Sequence, residues 1–72
     1  MLSKESLSKK FGERLREEMG NMSQETLATK SGFHKSYIGR LERGEATPSI
    51  YVVYKIALAL KVKPSELLGF WF

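Results

Sequence analysis

Lys35, Ser36, Gly39, Arg40 and Arg43 follow the spacing i, i+1, i+4, i+5, i+8, so on a helix all five share one outward stripe. Three of the five are cations. An α-helix fits the major groove of DNA, where Arg or Lys donates to guanine O6 and N7, and each good bidentate contact discriminates by about 1–3 kcal/mol. Arg40, mid-helix, is placed to read a base. Lys35 and Ser36 stand at the N-terminal end, which meets the bases first when a recognition helix docks. Gly39 offers no side chain and costs about 1 kcal/mol against Ala in a helix interior, a cost that close approach to the groove would justify. Ser23 and Gln24 open the preceding helix, whose unpaired N–H groups and positive end suit a phosphate, and Arg43 is a second phosphate candidate. Such backbone contacts set register and salt-dependent affinity without reading sequence.

Other chemistries find little material. With one His, no Cys and no Asp, nucleophile and base pairs cannot be assembled in the usual ways, and no phosphate or dinucleotide loop is present. The chain reads as a non-enzyme with no cofactor. His34 lacks the companions a metal site needs, so no metal is expected either. The net charge of +4 and the pI near 9.6 favour a polyanionic partner, although the position of the cations says more than their total. Absence of cysteine excludes disulfides and is compatible with a reducing cytoplasm. The segment from Met1 to Lys10 holds three lysines and no apolar run, which argues against a signal peptide. Ile50 to Leu60 is apolar but far short of the roughly 20 residues that span a bilayer, and Lys55 interrupts it. No membrane partner is expected.

The elements that must position the stripe follow from periodicity and caps. Leu7, Phe11, Leu15 and Met19 recur every four residues on one side of a first helix, with Ser3 as its cap, Leu2 and Leu7 as a staple, and Gly20 and Asn21 as its stop. Ser23 caps a second helix that runs to Lys30 or Ser31 and ends at Gly32. The third runs from Lys35 to Arg43 and stops at Gly44. Thr47 and Pro48 announce a fourth, Ser49 to Leu60, with Pro at its first position and with Ile50, Val53, Ile56, Ala57 and Leu60 inward. A short fifth helix opens at Pro64 and carries Leu67 and Leu68. With no alternating strand pattern, repeat or low-complexity linker, the chain reads as a single all-α domain over residues 1–72, a compact five-helix bundle.

Two short helices joined by a tight turn containing Gly, the second free on one side, form the helix-turn-helix unit that docks into a major groove, here Gln24 to Arg43. Leu27 and Ala28 face inward from its first helix, and Phe33, Ile38 and Leu41 from its second. Beyond these features, the run SQETLATKSGFHKSYIGRLERGEATPSI, followed by KIALALKVKPSELL, resembles the lambda-repressor-like, Cro/XRE family of regulators over Phe11 to Leu68. That resemblance implies a five-helix DNA-binding fold, sequence-specific operator binding and homodimerisation. It places base reading on Lys35, Ser36 and Arg40, and backbone contacts on Gln24, Tyr37 and Arg43. It also implies an ion pair from Glu42 to an Arg of helix one. The stretch from Phe11 to Gln24 departs from the family's usual spacing, which leaves Arg14 and Arg16 as alternative partners. His34 stands where the family often has a capping Ser or Thr, so it either caps weakly or contacts the DNA backbone. Tyr37 suits core packing and a phosphate hydrogen bond equally, since it has both a ring and a hydroxyl.

The tail Gly69-Phe70-Trp71-Phe72 needs a partner surface, because consecutive aromatics rarely stay in water. It either folds back or joins Leu67 and Leu68 in a twofold interface. The resulting expectation is a cytoplasmic, bacterial or phage-encoded regulator of transcription that binds a double-stranded operator as a homodimer. It has no evident small-molecule effector. Phage repressors, restriction-modification controllers and antitoxins are all short members of the resembled family, and the residues do not separate them. The alternative is an interaction module or antitoxin that keeps the fold while its main partner is another protein.

Overall fold

Serine opens three of the five helices in the computed structural model, which describes residues 3–69. Ser3 Oγ accepts from the Ser6 amide at 3.1 Å, Ser23 Oγ from Thr26 at 3.1 Å and Ser49 Oγ from Val52 at 3.2 Å, each satisfying a helix donor that otherwise has no partner. The elements that follow are α1 (Lys4–Met19), α2 (Gln24–Ser31), α3 (Lys35–Glu42), α4 (Ile50–Leu60) and α5 (Pro64–Leu67). The described residues contain no strand. Gly32 ends α2 at φ 84°, a left-handed conformation that Gly adopts without the usual steric cost.

Each helix contributes to one core. Phe11 and Leu15 of α1, Leu27 of α2, Ile38 and Leu41 of α3, Ile56 of α4 and Leu67 of α5 are fully buried. Burial of one such side chain contributes about 1.5–3 kcal/mol, so the fold depends on all five elements closing together. The tightest approach is α1 on α3. A Cβ added at Gly12 would lie 2.5 Å from the Glu42 carbonyl oxygen and 2.6 Å from that of Leu41. Only Gly permits this crossing. The loop leading into α4 is tied to α1 by the buried Ser8 hydroxyl, 2.7 Å from Thr47 Oγ1. At the other end, Arg14 Nε donates to the Glu66 carbonyl at 3.0 Å and clips α1 to α5.

Several expectations change at element ends. Pro48 precedes the Ser49 cap and is not the first helical residue, because Ser49 is extended (φ −80°, ψ 169°) and its hydroxyl takes the capping role. Arg43 is the C-cap of α3, one step beyond the last helical residue. Ile50, expected inward, is 90% exposed, while Val52 is buried with Val53, Ile56 and Ala57. Periodicity assigns a side of a helix; whether a neighbour extends along the first turn is decided by the tertiary structure. Leu67, expected at a subunit interface, has 0% exposure and belongs to the chain's own core. Leu68 is half-buried against that core. Leu2, Phe70, Trp71 and Phe72 lie outside the described residues.

Candidate nucleic-acid interface

The two helices of the reading head are locked together before their outer faces are considered. Leu27 and Ala28 meet Ile38 and Leu41 in the core, and Phe33 packs edge-on against Tyr37 with ring centroids 5.7 Å apart and planes at 69°. Burial pushes the Tyr37 phenol above its ordinary pKa, with the Arg40 charge acting in the opposite direction. Tyr37 is half-buried, so its ring serves the core while its position beside Arg40 keeps it at the edge of the cationic face.

His34 caps α3. Its Nδ1 accepts from the Ser36 amide at 3.1 Å and lies 2.8 Å from Ser36 Oγ. An Nδ1 that accepts implies a neutral ring with its proton on Nε2, which keeps one donor pointing away from the cap. Capping is therefore the role the geometry gives His34, and Ser36 is held through the same nitrogen.

Lys35, Ser36 and Arg40 are all exposed and form one row along α3. Two carboxylates that the sequence reading did not single out accompany this row and its end. Lys35 Nζ donates to Glu25 Oε1 at 3.0 Å, joining α3 to the first turn of α2. Arg43 Nε donates to Glu45 Oε2, also at 3.0 Å, and Arg40 Nη2 reaches the Glu45 backbone carbonyl at 3.5 Å. The Arg43 hydrogen bond holds the Glu45 carboxyl below the ordinary carboxylate range and raises the Arg43 guanidinium further. An acid two residues after a helix-end cation was a signal available in the sequence.

Gly39 does not sit open to the solvent side of the stripe. It is buried, because Gln24 and Arg43 close over it. An added Cβ would lie 3.1 Å from Arg43 Nη1 and 3.4 Å from Gln24 Oε1. The missing side chain thus brings together two residues expected to hold the DNA backbone, one from α2 and one from the end of α3. Ser23, by contrast, spends its hydroxyl on the α2 cap and on Thr26 Oγ1 at 3.0 Å.

Glu42 takes Arg16 as its partner. Arg16 Nε lies 3.8 Å from Glu42 Oε2 and Arg16 Nη2 donates to the Glu42 carbonyl at 3.3 Å, so the guanidinium also meets the negative end of α3. Arg14 is occupied elsewhere, with Glu17 at 3.7 Å, Glu18 at 3.8 Å and the Glu66 carbonyl. Among the described residues, Glu42 Oε1 is buried without a hydrogen-bond partner. Among the described residues, no cluster of metal-ligating side chains occurs and no helix is long and apolar enough to cross a membrane.

The family model described as Helix-turn-helix matches residues 13–67. Control protein C.BamHI of Bacillus amyloliquefaciens is 41% identical over 63 residues, covering 83% of this chain and 78% of that protein. Control protein C.SmaI of Serratia marcescens is 40% identical over 50 residues, covering 69% and 60%. The crystal structure of the restriction-modification controller protein C.AhdI from Aeromonas hydrophila matches with a TM-score of 0.80 at 47% identity, over 83% of this chain and 94% of that one. The regulator fold, the exposed cationic row on α3 and these similarities agree, and the chain belongs to the Cro/XRE-type helix-turn-helix family of DNA-binding transcriptional regulators.

Proposed function

We propose that this protein is a controller of restriction-modification genes that binds a near-palindromic operator as a homodimer, with α3 of each copy in the major groove. The observation that carries the reading is the row of Lys35, Ser36 and Arg40 exposed on α3, flanked by Gln24 and Arg43 over Gly39. In this arrangement Lys35, Ser36 and Arg40 contact base edges. Gln24, Tyr37, Arg43 and the outer nitrogen of His34 hold phosphates, with Ser23 presenting the positive end of α2. The names of C.BamHI and C.SmaI as control proteins, and the description of C.AhdI as a restriction-modification controller, support the choice among regulator types. Such a regulator acts in the bacterial cytoplasm, where its target DNA lies.

The dimer surface we assign is α4. Ile50, Tyr51, Tyr54 and Leu58 recur at i, i+1, i+4 and i+8 and leave a large apolar row in water, a feature of association surfaces. Described residues measuring 34 × 22 × 22 Å allow two copies side by side to present their reading heads about one DNA turn, about 34 Å, apart. Selection of bound sites from random duplexes tests both parts at once. The expected product is a pair of inverted half-sites spaced by one turn. Recovery of no enriched site, together with weak binding that hardly changes with salt, would favour the protein-interaction alternative.

A further inference from the structure

His34 and Ser36 share one nitrogen, and the sharing fixes the direction of a hydroxyl on the exposed row of α3. Nδ1 of His34 accepts from the Ser36 amide at 3.1 Å and lies 2.8 Å from Ser36 Oγ. A backbone N–H can only donate, so this Nδ1 carries no hydrogen. The hydroxyl must then donate to the same nitrogen, and with its hydrogen spent there Ser36 keeps only lone pairs for an outside partner. We propose that His34 makes Ser36 an acceptor-only reader, which selects a base with an amino group in the major groove, adenine or cytosine, over guanine or thymine. The selection rests on the operator reading proposed above.

The residue type at the cap makes the direction one-way. A Ser or Thr in place of His34 would cap the helix through a hydroxyl that both donates and accepts, leaving the Ser36 hydroxyl free to turn either way. An imidazole nitrogen without a hydrogen can only accept. Ser36 is exposed and stands in the first turn of α3, the end that meets the bases first. Its neighbours on the row have the opposite polarity, since Lys35 and Arg40 carry donors and no acceptor. Those two suit guanine O6 and N7 or thymine O4, whereas adenine N6 and cytosine N4 offer hydrogens. Of the three residues in the row, Ser36 is the one able to receive such a hydrogen. A phosphate accepting from the outer nitrogen of His34 would hold the ring hydrogen on Nε2 and keep Nδ1 an acceptor, so backbone contact and base choice support each other. A purely structural role for the contact, closing the first turn of α3, would leave base preference untouched.

Nitrogen-15 NMR of the free protein tests the tautomer without DNA. The neutral His34 ring is expected to carry its hydrogen on Nε2, and a hydrogen on Nδ1 overturns the proposal. The selected operator gives the second readout. Ser36→Ala is expected to abolish preference at one base-pair position, where the native chain favours adenine or cytosine by about 2- to 10-fold, the net worth of one neutral hydrogen bond. Removing the amino group of that base, as purine for adenine or pyrimidin-2-one for cytosine, should cost the native chain as much as Ser36→Ala and cost the Ser36→Ala protein little further. His34→Thr keeps a cap on α3 and should let guanine or thymine bind comparably at this position, with helicity retained. Loss of a phosphate contact from His34 weakens all sequences alike and cancels from that ratio. Preference for guanine or thymine at the Ser36 position, no position that responds to Ser36→Ala, or an unchanged preference in a folded His34→Thr protein overturns the proposal and leaves the operator reading standing. Failure to select any operator overturns both.

Discussion

Arg40 on α3 and Arg43 at its C-cap are three residues apart, yet they are held differently. Arg43 is tied to the Glu45 carboxylate at 3.0 Å, while Arg40 has a contact at 3.5 Å to the Glu45 backbone oxygen, the outer limit of a hydrogen bond. Arg40 is therefore the more available to turn into a groove. Arg40→Ala should remove about 1–3 kcal/mol of discrimination at one base-pair position, whereas Arg43→Ala should weaken all sequences alike and lower the salt slope by about 1. Binding of matched and mismatched duplexes over a salt series checks the division, and equal losses in both variants would contradict it. Glu45 supplies a separate test. Its folded-state pKa is depressed, so its pair with Arg43 contributes above the unfolded carboxyl pKa and is lost as pH falls through the lowered folded value. Both partners are exposed and screened by salt. Titration of the Glu45 carboxyl by NMR should show the depression at low salt, with Arg43→Ala moving it back toward the ordinary range.

At the scale of elements, two glycines inside helices meet opposite surroundings. Gly12 faces backbone, with carbonyl oxygens of Glu42 and Leu41 within 2.6 Å of an added Cβ, and backbone cannot yield without parting α1 from α3. Gly12→Ala should cost at least the 1–3 kcal/mol typical of overpacking, read as a lower thermal midpoint. Gly39 faces the far end of the Arg43 side chain at 3.1 Å and the Gln24 amide at 3.4 Å, both of which can move. Gly39→Ala should therefore gain up to about 1 kcal/mol from helix propensity while weakening DNA binding, because Arg43 and Gln24 are displaced. A variant more stable yet poorer in affinity is the outcome that supports this account. The same residues mark how far the sequence could be read. Caps and the four-residue recurrence of Leu7, Phe11, Leu15 and Met19 are local signals, and the five helices followed from them. Burial of Gly39, exposure of Ile50, and the choice of Arg16 over Arg14 depend on where a neighbouring helix begins and ends. Nothing within one helix's period encodes that. The ion pairs of Glu25 and Glu45 are not legible in the sequence of the stripe for a related reason. Each lies outside the stripe it neutralises, one on α2 and one past the end of α3.

For the whole molecule, the cationic head and the apolar row of α4 stand on different elements, so association and DNA contact can be separated by substitution. Tyr51 and Leu58 are members of that row, and both are more than half exposed. Replacing exposed side chains leaves no cavity in the core, so Tyr51→Lys with Leu58→Lys should retain the helices and the thermal midpoint of the single protomer. In the proposed dimer, the pair would place two like charges across the twofold axis, where each residue meets its own copy or a near neighbour. Sedimentation should show a dimer for the native chain and, at the same concentrations, a monomer for this variant. Loss of bivalency is expected to lower affinity for a paired operator by about 10²–10⁴ while leaving affinity for an isolated half-site nearly unchanged. An added cation that merely attracted DNA would raise both affinities together, so opposite behaviour of the two sites isolates the contribution of association. Persistence of the dimer in this variant would move the interface off α4.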